Sequence, residues 1–350
     1  MEKTRSKWLP AAVIAVLVLF LAIAVYAAVN LKQGKDELEV RVAELEAELA
    51  AVPDTETVMR ESEGRLLGDG EMYYSRSSIA EEADMAESMT ELMGHLFPDR
   101  NVYFNGERYS YDLLSDNIKK HDYDLDKILT VKETGRKVYT GTQEATSLTG
   151  IDVSEWQDDI DWYKVKKAGI KFAFLRAGVR GYESGQIFED ETFRRNLRGA
   201  IMNQIPVGVY FYTQAATPQE GIQEAQMVLD LIKGYQVTWP IVVDVEREDS
   251  DTSRTKDLTP SQRTDIVIAF CETIEAAGYT PMIYGNIRML CSDLEPERIA
   301  KYDKWLAQYF NRPTYRYDFG IWQYSSTAHV DGISGNVDIN LAFRDYGKQD

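Results

Sequence analysis

From Gly150 onward, short apolar runs alternate with amphipathic segments of helical length. The apolar runs predict eight strands: Gly150–Val153, Phe172–Ala177, Val207–Thr213, Ile241–Glu246, Pro281–Tyr284, Lys304–Tyr309, Gly320–Tyr324 and Val337–Asn340. Helix-length segments lie between several of them, including Asp190–Met202, Thr217–Lys233 and Thr259–Ala277. This alternation predicts an α/β fold with a parallel, TIM-like (β/α) barrel. The later connections are short, so we expect some outer helices to be missing and the barrel to be irregular.

The N-terminal region has a different pattern, with an uncharged run of 21 residues over Leu9–Val29. A helix of that length can cross the hydrocarbon core of a bilayer. Basic residues precede the run and acidic residues follow it, which predicts a cytoplasmic tail over 1–8, a single transmembrane helix over 9–29 and an extracellular remainder. A cleaved signal peptide is the competing interpretation, but the run is longer than the apolar region of about 7–15 residues that such peptides carry.

A seven-residue repeat of apolar residues follows the predicted span. Leu31, Leu38, Leu45 and Val52 predict a coiled-coil-like helical stalk over residues 30–52. The repeat covers only about three heptads and a lysine occupies one seam position, so two alternatives stay open. The stalk either forms a dimer or continues the membrane helix as a single helix.

Residues 53–147 have a weaker pattern and are expected to form a small linker or adaptor. Within them, aromatic alternating runs flank Asn105-Gly106 over Val102–Tyr111, which predicts a β-hairpin with a type I′ turn. The aromatic face of this hairpin either binds sugar or packs on the neighbouring domain, and we favour packing.

Charge and cysteine content exclude several classes of function. The formal net charge is −18, and residues 36–100 hold 18 Asp and Glu against 5 Lys and Arg, so nucleic acid is excluded as an expected partner. Cys271 and Cys291 do not form a metal motif, and the three histidines have no ligand spacing. We therefore expect neither a metal nor another cofactor. A disulfide between the two cysteines stays open but is not expected to be essential.

Two carboxylates lie on the predicted buried strand within Trp239–Glu246. Because side chains alternate along a strand, Asp244 and Glu246 point to the same side. A lone Asp-x-Glu at a strand end is commonly a solvated or salt-bridged pair, so it indicates a functional site only together with other residues of the same region. In (β/α) barrels the chemistry lies at the carboxyl ends of the strands, and Asp152 and Asp338 also fall near predicted strand ends. The sequence thus predicts four acids around one mouth.

Aromatic residues occupy comparable positions on the other predicted strands. The candidates for stacking on sugar rings are Tyr210, Tyr212, Tyr284, Tyr309 and Trp322. For Tyr210, packing inside the barrel is the alternative that we favour. Acids and aromatic rings in one barrel mouth indicate a site that cleaves carbohydrate.

Glycosidic cleavage explains why two neighbouring carboxyl groups would be needed. One group protonates the leaving oxygen and a second stabilises positive charge at the anomeric carbon. Glu246 has the longer side chain at the strand end and is the candidate acid. The acids that follow it, Glu248, Asp249 and Asp251, are expected to form a solvated loop.

Six motifs in this order resemble the family 25 glycoside hydrolases, the muramidases also called Chalaropsis-type lysozymes. The motifs are Gly150-Ile-Asp-Val-Ser-x-x-Gln157 with Ile160-Asp-Trp162, Asp190-x-x-Phe-x-x-Asn196, Gly208-Val-Tyr-Phe-Tyr212, Asp244-x-Glu246, Trp322-Gln-Tyr-Ser325, and Gly332-Ile-x-Gly-x-Val-Asp-x-Asn340. The resemblance extends over about Gly150 to Phe343, within an expected catalytic domain of residues 148–345. Phe211 departs from the pattern, because many relatives have a histidine there.

The resemblance implies an enzyme that cleaves the β-1,4 bond between N-acetylmuramic acid and N-acetylglucosamine in peptidoglycan glycan strands. It implies that Glu246 is the proton donor, Asp244 its partner, and Asp152 and Asp338 the flanking acids. Two mechanisms stay open: a substrate-assisted route through the 2-acetamido group, and an inverting route with a water held by another acid. A glycan-binding module without turnover and a structural protein of a wall-synthesis complex are the alternative functions.

Overall fold

The computed structural model describes residues 88–141, 147–248 and 250–348, and before them residues 66–67, 71–72, 79, 83–84 and 86. The chain divides into two compact units, Met1–Met85 and Ala86–Asp350. In the first unit, the strands Leu66–Leu67 and Glu71–Met72 pair antiparallel. The predicted tail, membrane span and stalk over 1–52 lie outside the described residues. None of the helices that the structure describes is long and apolar enough to cross a membrane.

Eight strands of the second unit form a closed barrel. They are β1 (Leu148–Val153), β2 (Phe172–Arg180), β3 (Val207–Thr213), β4 (Ile241–Val245), β5 (Pro281–Asn286), β6 (Asp303–Ala307), β7 (Ile321–Ala328) and β8 (Val337–Ala342). Each strand pairs with the next along the chain, and β8 pairs with β1 to close the barrel. All eight predicted strands are present. A short strand over Ile187–Glu189, which was not predicted, pairs with the end of β2.

The barrel is not wholly parallel, so that part of the prediction is wrong. Strand β8 runs antiparallel to both of its neighbours, β7 and β1. The connection before it spans only residues 329–336, whereas a parallel crossover takes about a dozen residues or more. Because β8 is reversed, its beginning lies at the same end of the barrel as the carboxyl ends of the other strands. Asp338, the second residue of β8, is therefore at the mouth.

Four α-helices cover the first four strand connections. They are α1 (Trp162–Lys167), α2 (Phe193–Met202), α3 (Pro218–Ile232) and α4 (Pro260–Ala276). Thr217 and Thr259 cap α3 and α4 with their hydroxyls, and a proline follows each threonine at the first helical position. The β5–β6 connection carries a π-helix, Met289–Asp293, and the described β6–β7 and β7–β8 connections carry no α-helix. The expected irregularity is confirmed.

Aromatic side chains fill the barrel interior below the mouth. Phe172 stacks on Trp239 with ring centroids 4.0 Å apart, and Phe174 stacks on Trp305 at 4.5 Å. A Cβ atom at Gly150 would lie 2.3 Å from the Phe172 ring, so the glycine that opens the first motif is needed for packing. These rings form the floor of the barrel, and a cavity that could hold a ligand opens above them.

The two cysteines are both free. Cys271 is buried within α4, and Cys291 lies in the π-helix after β5. Burial raises the pKa of the Cys291 thiol well above its usual range, which disfavours the reactive thiolate form.

Residues 88–141 belong to the same compact unit as the barrel. They contain the helix Met89–Leu96, a hairpin of the strands Arg100–Phe104 and Tyr109–Leu113, the 3₁₀ turn Leu125–Lys127, and a second pair of strands, Ile128–Thr130 and Lys137–Tyr139. The predicted hairpin is thus present.

The predicted type I′ turn of the hairpin is wrong. Phe104 pairs with Tyr109, so the loop has four residues, 105–108. The Asn105 side-chain oxygen accepts hydrogen bonds from the backbone N–H of Glu107 and Arg108, at 3.0 Å each. In this loop only Gly106 has a positive φ, whereas a type I′ turn requires two such residues. The Asx-type hydrogen bonds replace the two-residue turn.

The aromatic face of the hairpin packs mainly on its own helix, not on the barrel as we had expected. Tyr109 contacts the Thr90 hydroxyl at 3.2 Å, and Phe97, which ends the helix Met89–Leu96, lies edge-on to Tyr111 at 5.1 Å. The opposite face of the hairpin, with Asn101 and Tyr103, is the one that is turned to the barrel.

Candidate active site

The four predicted acids come together at the barrel mouth. Asp152 on β1 lies opposite Asp338 on β8, Asp244 is the fourth residue of β4, and Glu246 follows that strand directly. A cavity of about 180 Å³ opens there, lined by Asp152, Tyr210, Asp244, Glu246, Tyr284, Trp305, Tyr309, Gln323 and Asp338. All four acids and three of the five predicted aromatic residues therefore face one small polar cavity.

Asp152 is held by two side-chain amides. Gln323 Nε2 donates to both carboxylate oxygens of Asp152, at 3.0 and 3.1 Å, and Asn340 Nδ2 donates to Oδ1 at 2.7 Å. These bonds leave Asp152 with a single orientation in a site where it is only 6% exposed. Asp152 is thus a fixed acceptor at one side of the cavity.

Three aromatic side chains fix the two amides in turn. The hydroxyls of Tyr284 and Tyr309 donate to Gln323 Oε1 at 2.9 and 2.8 Å, and Trp305 Nε1 donates to Asn340 Oδ1 at 2.7 Å. Because each amide oxygen is occupied by a donor, each amide nitrogen must face Asp152. Tyr284 and Tyr309 therefore line the cavity and, through Gln323, also orient Asp152.

Burial and mutual repulsion raise the pKa values of the acids. Burial raises the pKa of Asp244 well above its usual range, the charges of Glu246 and Asp152 raise it further, and Arg176 opposes the rise. Burial, followed by the charge of Asp338, raises the pKa of Glu246. Burial also raises the pKa of Asp152, although the amide hydrogen bonds oppose this. The four acids therefore do not all ionise together, and one of them can keep a proton at a pH where a solvated carboxyl group would have lost it.

Asp244 has an unused acceptor. Among the residues that the structure describes, its buried Oδ1 has no hydrogen-bond partner. A buried carboxylate oxygen without a partner is costly, so a donor on a bound substrate would be recognised here. Glu246 lies beside it and is less buried, at the outer side of the mouth.

Arg176 is a charged residue of this region that the sequence analysis missed. Its guanidinium bonds Asp190 at 2.8 Å and Glu155 at 2.6 Å. Asp190 also accepts the backbone N–H of Glu155 at 3.0 Å. The Asp190 motif therefore anchors the loop that follows β1, while the positive charge of Arg176 lowers the pKa of Asp244.

Comparison with known proteins shows the family to which this chain is similar. The profile of Glycosyl hydrolases family 25 matches residues 151–333, more than half of the 350-residue chain. The chain belongs to this family. Asp338 lies just beyond the matched range, and the structure places it in the same cavity as the matched acids.

Individual relatives match more than half of this family 25 chain. "Uncharacterized protein YegX" of Escherichia coli O157:H7 is 30% identical over 208 residues, which is 56% of this chain and 69% of the relative. "Lysozyme M1" of Streptomyces globisporus is 29% identical over 212 residues, 57% of this chain and 69% of the relative. The modular autolysin LytC from Streptococcus pneumoniae, solved with a synthetic peptidoglycan ligand, shares the fold with a TM-score of 0.52 and 24% identity. That match covers 68% of this chain, which spans only 54% of the LytC structure.

Two of the predicted aromatic residues do not line the family 25 cavity. Trp322 is fully buried, and its Nε1 donates to the backbone carbonyl of Gln308 at 2.6 Å. Because neighbours on a strand face opposite sides, the inward position belongs to Gln323, and the predicted place of Trp322 at the mouth is wrong. Tyr212 lies beyond the cavity, where burial and then the Glu246 charge raise its pKa.

Phe211 departs from the family pattern without altering the cavity. It lies between the inward-facing Tyr210 and Tyr212, is fully buried, and a Cβ at Gly178 would lie 3.1 Å from its ring. The Phe211 side chain therefore belongs to the apolar layer outside the barrel.

Gln323, Asn340 and Trp305 are site residues that the sequence analysis did not single out. Gln323 and Asn340 both stand inside the quoted motifs. Asn340 is two residues after Asp338 on the same strand, so both side chains point into the barrel. Trp305 had no comparable signal, because its ring packs in the barrel floor and only its N–H serves the site.

Replacing Asp338 should stabilise the protein at neutral pH. Burial raises the pKa of Asp338 to about 6, above the value of about 3.9 in an unfolded chain. The folded state prefers the protonated form, so this contribution to stability is full below about pH 4 and is lost as the pH rises through about 6. We expect Asp338→Asn to raise the free energy of unfolding by about 1–2 kcal/mol at pH 7, discounted for partial exposure, and to change it little at pH 4. Urea unfolding at both pH values measures this, and a loss of stability at pH 7 would contradict it.

Proposed function

We propose that this chain is a lysozyme-like peptidoglycan hydrolase that cleaves the β-1,4 bond between N-acetylmuramic acid and N-acetylglucosamine. The observation that carries the proposal is the Asp244 and Glu246 pair, two carboxyl groups with raised pKa values in one cavity of a family 25 barrel. A raised pKa lets a carboxylic acid keep its proton at neutral pH and donate it to a leaving oxygen. The names of the relatives, Lysozyme M1 and "Autolytic lysozyme" of Clostridium acetobutylicum, support the same assignment.

Glu246 is the proposed proton donor. It stands at the outer side of the mouth and is less buried than Asp244, so it can reach a bond that lies across the cavity. Burial and repulsion by Asp338 raise its pKa, which favours the protonated form that can donate to the leaving oxygen.

Asp244 is the proposed partner for the charged ring that forms. We infer a substrate-assisted route, in which the 2-acetamido oxygen of muramic acid forms a bond to the anomeric carbon as the bond to the leaving oxygen breaks. The acetamido N–H can donate to the unpartnered Oδ1 of Asp244, which supports this route. The negative charge of Asp244 then offsets the positive charge of the cyclic intermediate. Water opens that intermediate, and Glu246 takes the proton of the water back.

A glycan-binding module without turnover is the second candidate function. Such a module has no need for acids of raised pKa, so the intact Asp152, Asp244 and Glu246 favour catalysis. A turbidity assay on purified cell walls separates the two functions. We expect the suspension to clear with the wild-type protein, and binding without clearing would show a non-catalytic module.

The proposed location is the outer face of the cell membrane, with residues 9–29 as a single-pass anchor and residues 1–8 in the cytoplasm. The basic residues before the uncharged run and the acidic stretch after it support this topology. The proposed stalk over 30–52 would hold the barrel near the wall, either as a dimer or as a single helix.

Protease added to intact protoplasts tests this topology. We expect the barrel to be removed, since it lies outside, while an epitope at the N-terminus stays protected. Protection of the barrel together with loss of the N-terminal epitope would show the opposite orientation.

A further inference from the structure

The loop between β6 and β7 presents Tyr309 to the cavity. It begins at Gln308, directly after β6, and Tyr309 is half exposed, at 49%, with its hydroxyl on Gln323. A ring that contacts both solvent and the orienting amide of Asp152 needs a fixed backbone, because a shift of about 1 Å breaks a hydrogen bond.

The loop closes on itself through one pair of side-chain contacts. Gln308 Nε2 donates to the Thr314 hydroxyl at 2.7 Å, and the Thr314 backbone N–H donates to Gln308 Oε1 at 2.7 Å. These bonds join the two ends of the turn that carries Tyr309, but they do not tie its outer side to the barrel.

Residues 88–104, which we call the clamp, contact the outer side of the loop, beside further contacts from Asp126 and Lys137. The clamp consists of the helix Met89–Leu96 and the strand Arg100–Phe104. The backbone N–H of Arg312 donates to Glu91 Oε1 at 3.0 Å, and that of Arg316 donates to Asn101 Oδ1 at 2.8 Å. Glu91 and Asn101 are each only 1% exposed, so both bonds are shielded from water.

The clamp also fits the loop by shape. A Cβ at Gly94 would lie 2.5 Å from Cβ of Thr314, so only glycine lets the helix approach this closely. The Gly94 carbonyl in turn accepts from the Arg316 guanidinium at 2.7 Å. Helix, strand and loop are thus in direct contact over residues 312–316.

We propose that the clamp is a positioning element for Tyr309, and therefore that glycan binding by this barrel requires a segment outside the part that matches the family 25 profile. The profile begins at residue 151, whereas the clamp precedes it. Glu91, Gly94 and Asn101 act through the loop and do not touch substrate. This proposal rests on the proposed function, because the ligand of Tyr309 is taken to be a peptidoglycan glycan.

Glu91→Ala tests the clamp, with Ser115→Ala as a control at a contact far from Tyr309. Glu91→Ala removes the acceptor of the Arg312 N–H, and Ser115→Ala removes the bond that the Ser115 hydroxyl donates to Glu297 at 2.6 Å. Glu297 precedes β6, however, and lies at the opposite end of that strand from Tyr309. On a soluble peptidoglycan oligomer we expect Glu91→Ala to raise KM about tenfold with kcat within about threefold, and Ser115→Ala to change both less than twofold. Glu91→Gln keeps the acceptor and should recover most of the KM. Equal effects of Glu91→Ala and Ser115→Ala would overturn the proposal.

A double-mutant cycle with Tyr309→Ala separates positioning from folding. If Glu91 acts through Tyr309, Glu91→Ala should lower kcat/KM less than twofold in the Tyr309→Ala background. If Glu91 only supports folding, its loss is the same in both backgrounds, and the proposal is wrong. Gly94→Ala gives an independent check, because it favours the helix but pushes on Thr314. It should raise KM, and if the clamp acts through Tyr309 this effect should also disappear in the Tyr309→Ala background.

Hydrogen exchange gives a readout that does not depend on catalysis. Glu91→Ala should speed exchange of the backbone amides of residues 308–316 at least tenfold, while Ser115→Ala leaves them unchanged. Unchanged exchange in Glu91→Ala would overturn the positioning role even if the enzyme is active. If Glu91→Ala speeds this exchange but the wild-type protein does not cleave glycan, the positioning role stands and the proposed function fails.

Discussion

Glu246→Gln should lower kcat on peptidoglycan by roughly 10³-fold or more, because it removes the only proton that the account assigns to the leaving oxygen. The amide has nearly the volume of the carboxyl group, so the fold should be kept. Burial and the Asp338 charge raise the pKa of Glu246, and the substitution removes that buried acid, so the melting temperature at pH 7 should not fall. Rates of release of reducing sugar, together with thermal melts, measure both effects.

Glu248→Gln is the matched control for this substitution. Glu248 follows two residues later, outside the cavity, and its charge only adds to the effects that raise the pKa of Glu246. Its replacement should change kcat by less than about threefold. A loss in Glu248→Gln as large as that in Glu246→Gln would move the proton donor into the loop.

Asp244→Asn should lower kcat by about 10²–10³-fold, with smaller change in KM, because a neutral amide cannot offset the charge that develops on the substrate. The fold should again be retained, since Asp244 lies in a cavity in which its own burial raises its pKa and disfavours the charge. The matched control is Asp251→Asn, which removes an exposed acid after the same strand and should leave kcat within about twofold.

The substrate-assisted route predicts the anomeric configuration of the first product. Displacement by the acetamido group and then by water retains configuration at the anomeric carbon. Proton NMR during digestion of a soluble muropeptide oligomer should show the β-anomer first. Initial release of the α-anomer would rule out the assisted route and support an inverting one.

Strand positions could be predicted from the sequence because barrel strands are uninterrupted apolar runs. All eight runs became strands, and the helices after Asp190, Thr217 and Thr259 begin within a few residues of the predicted points. Strand direction is not contained in such a pattern, since a buried strand is equally apolar in either direction. For β8 the deciding signal was the short connection over 329–336, which has room for a hairpin only.

A site residue could be predicted where it is a charged residue within an apolar run. It could not be predicted where a neutral side chain makes the hydrogen bonds of the site. The four acids reached the mouth as expected. The aromatic ring of Trp322 suggests sugar stacking, but the alternation of the strand turns the neighbouring Gln323 amide to the inside. The clamp could not be foreseen either, because Glu91 and Asn101 contact residues more than 200 positions later in the chain.

The proposed function is tested most directly by the identity of the sugar at each new chain end. Purified peptidoglycan digested with the protein is reduced with borohydride, hydrolysed to muropeptides and analysed by mass spectrometry. We expect new reducing ends of N-acetylmuramic acid with the wild-type protein and almost none with Glu246→Gln. New ends of N-acetylglucosamine, or no new ends from a folded wild-type protein, would contradict the proposed function.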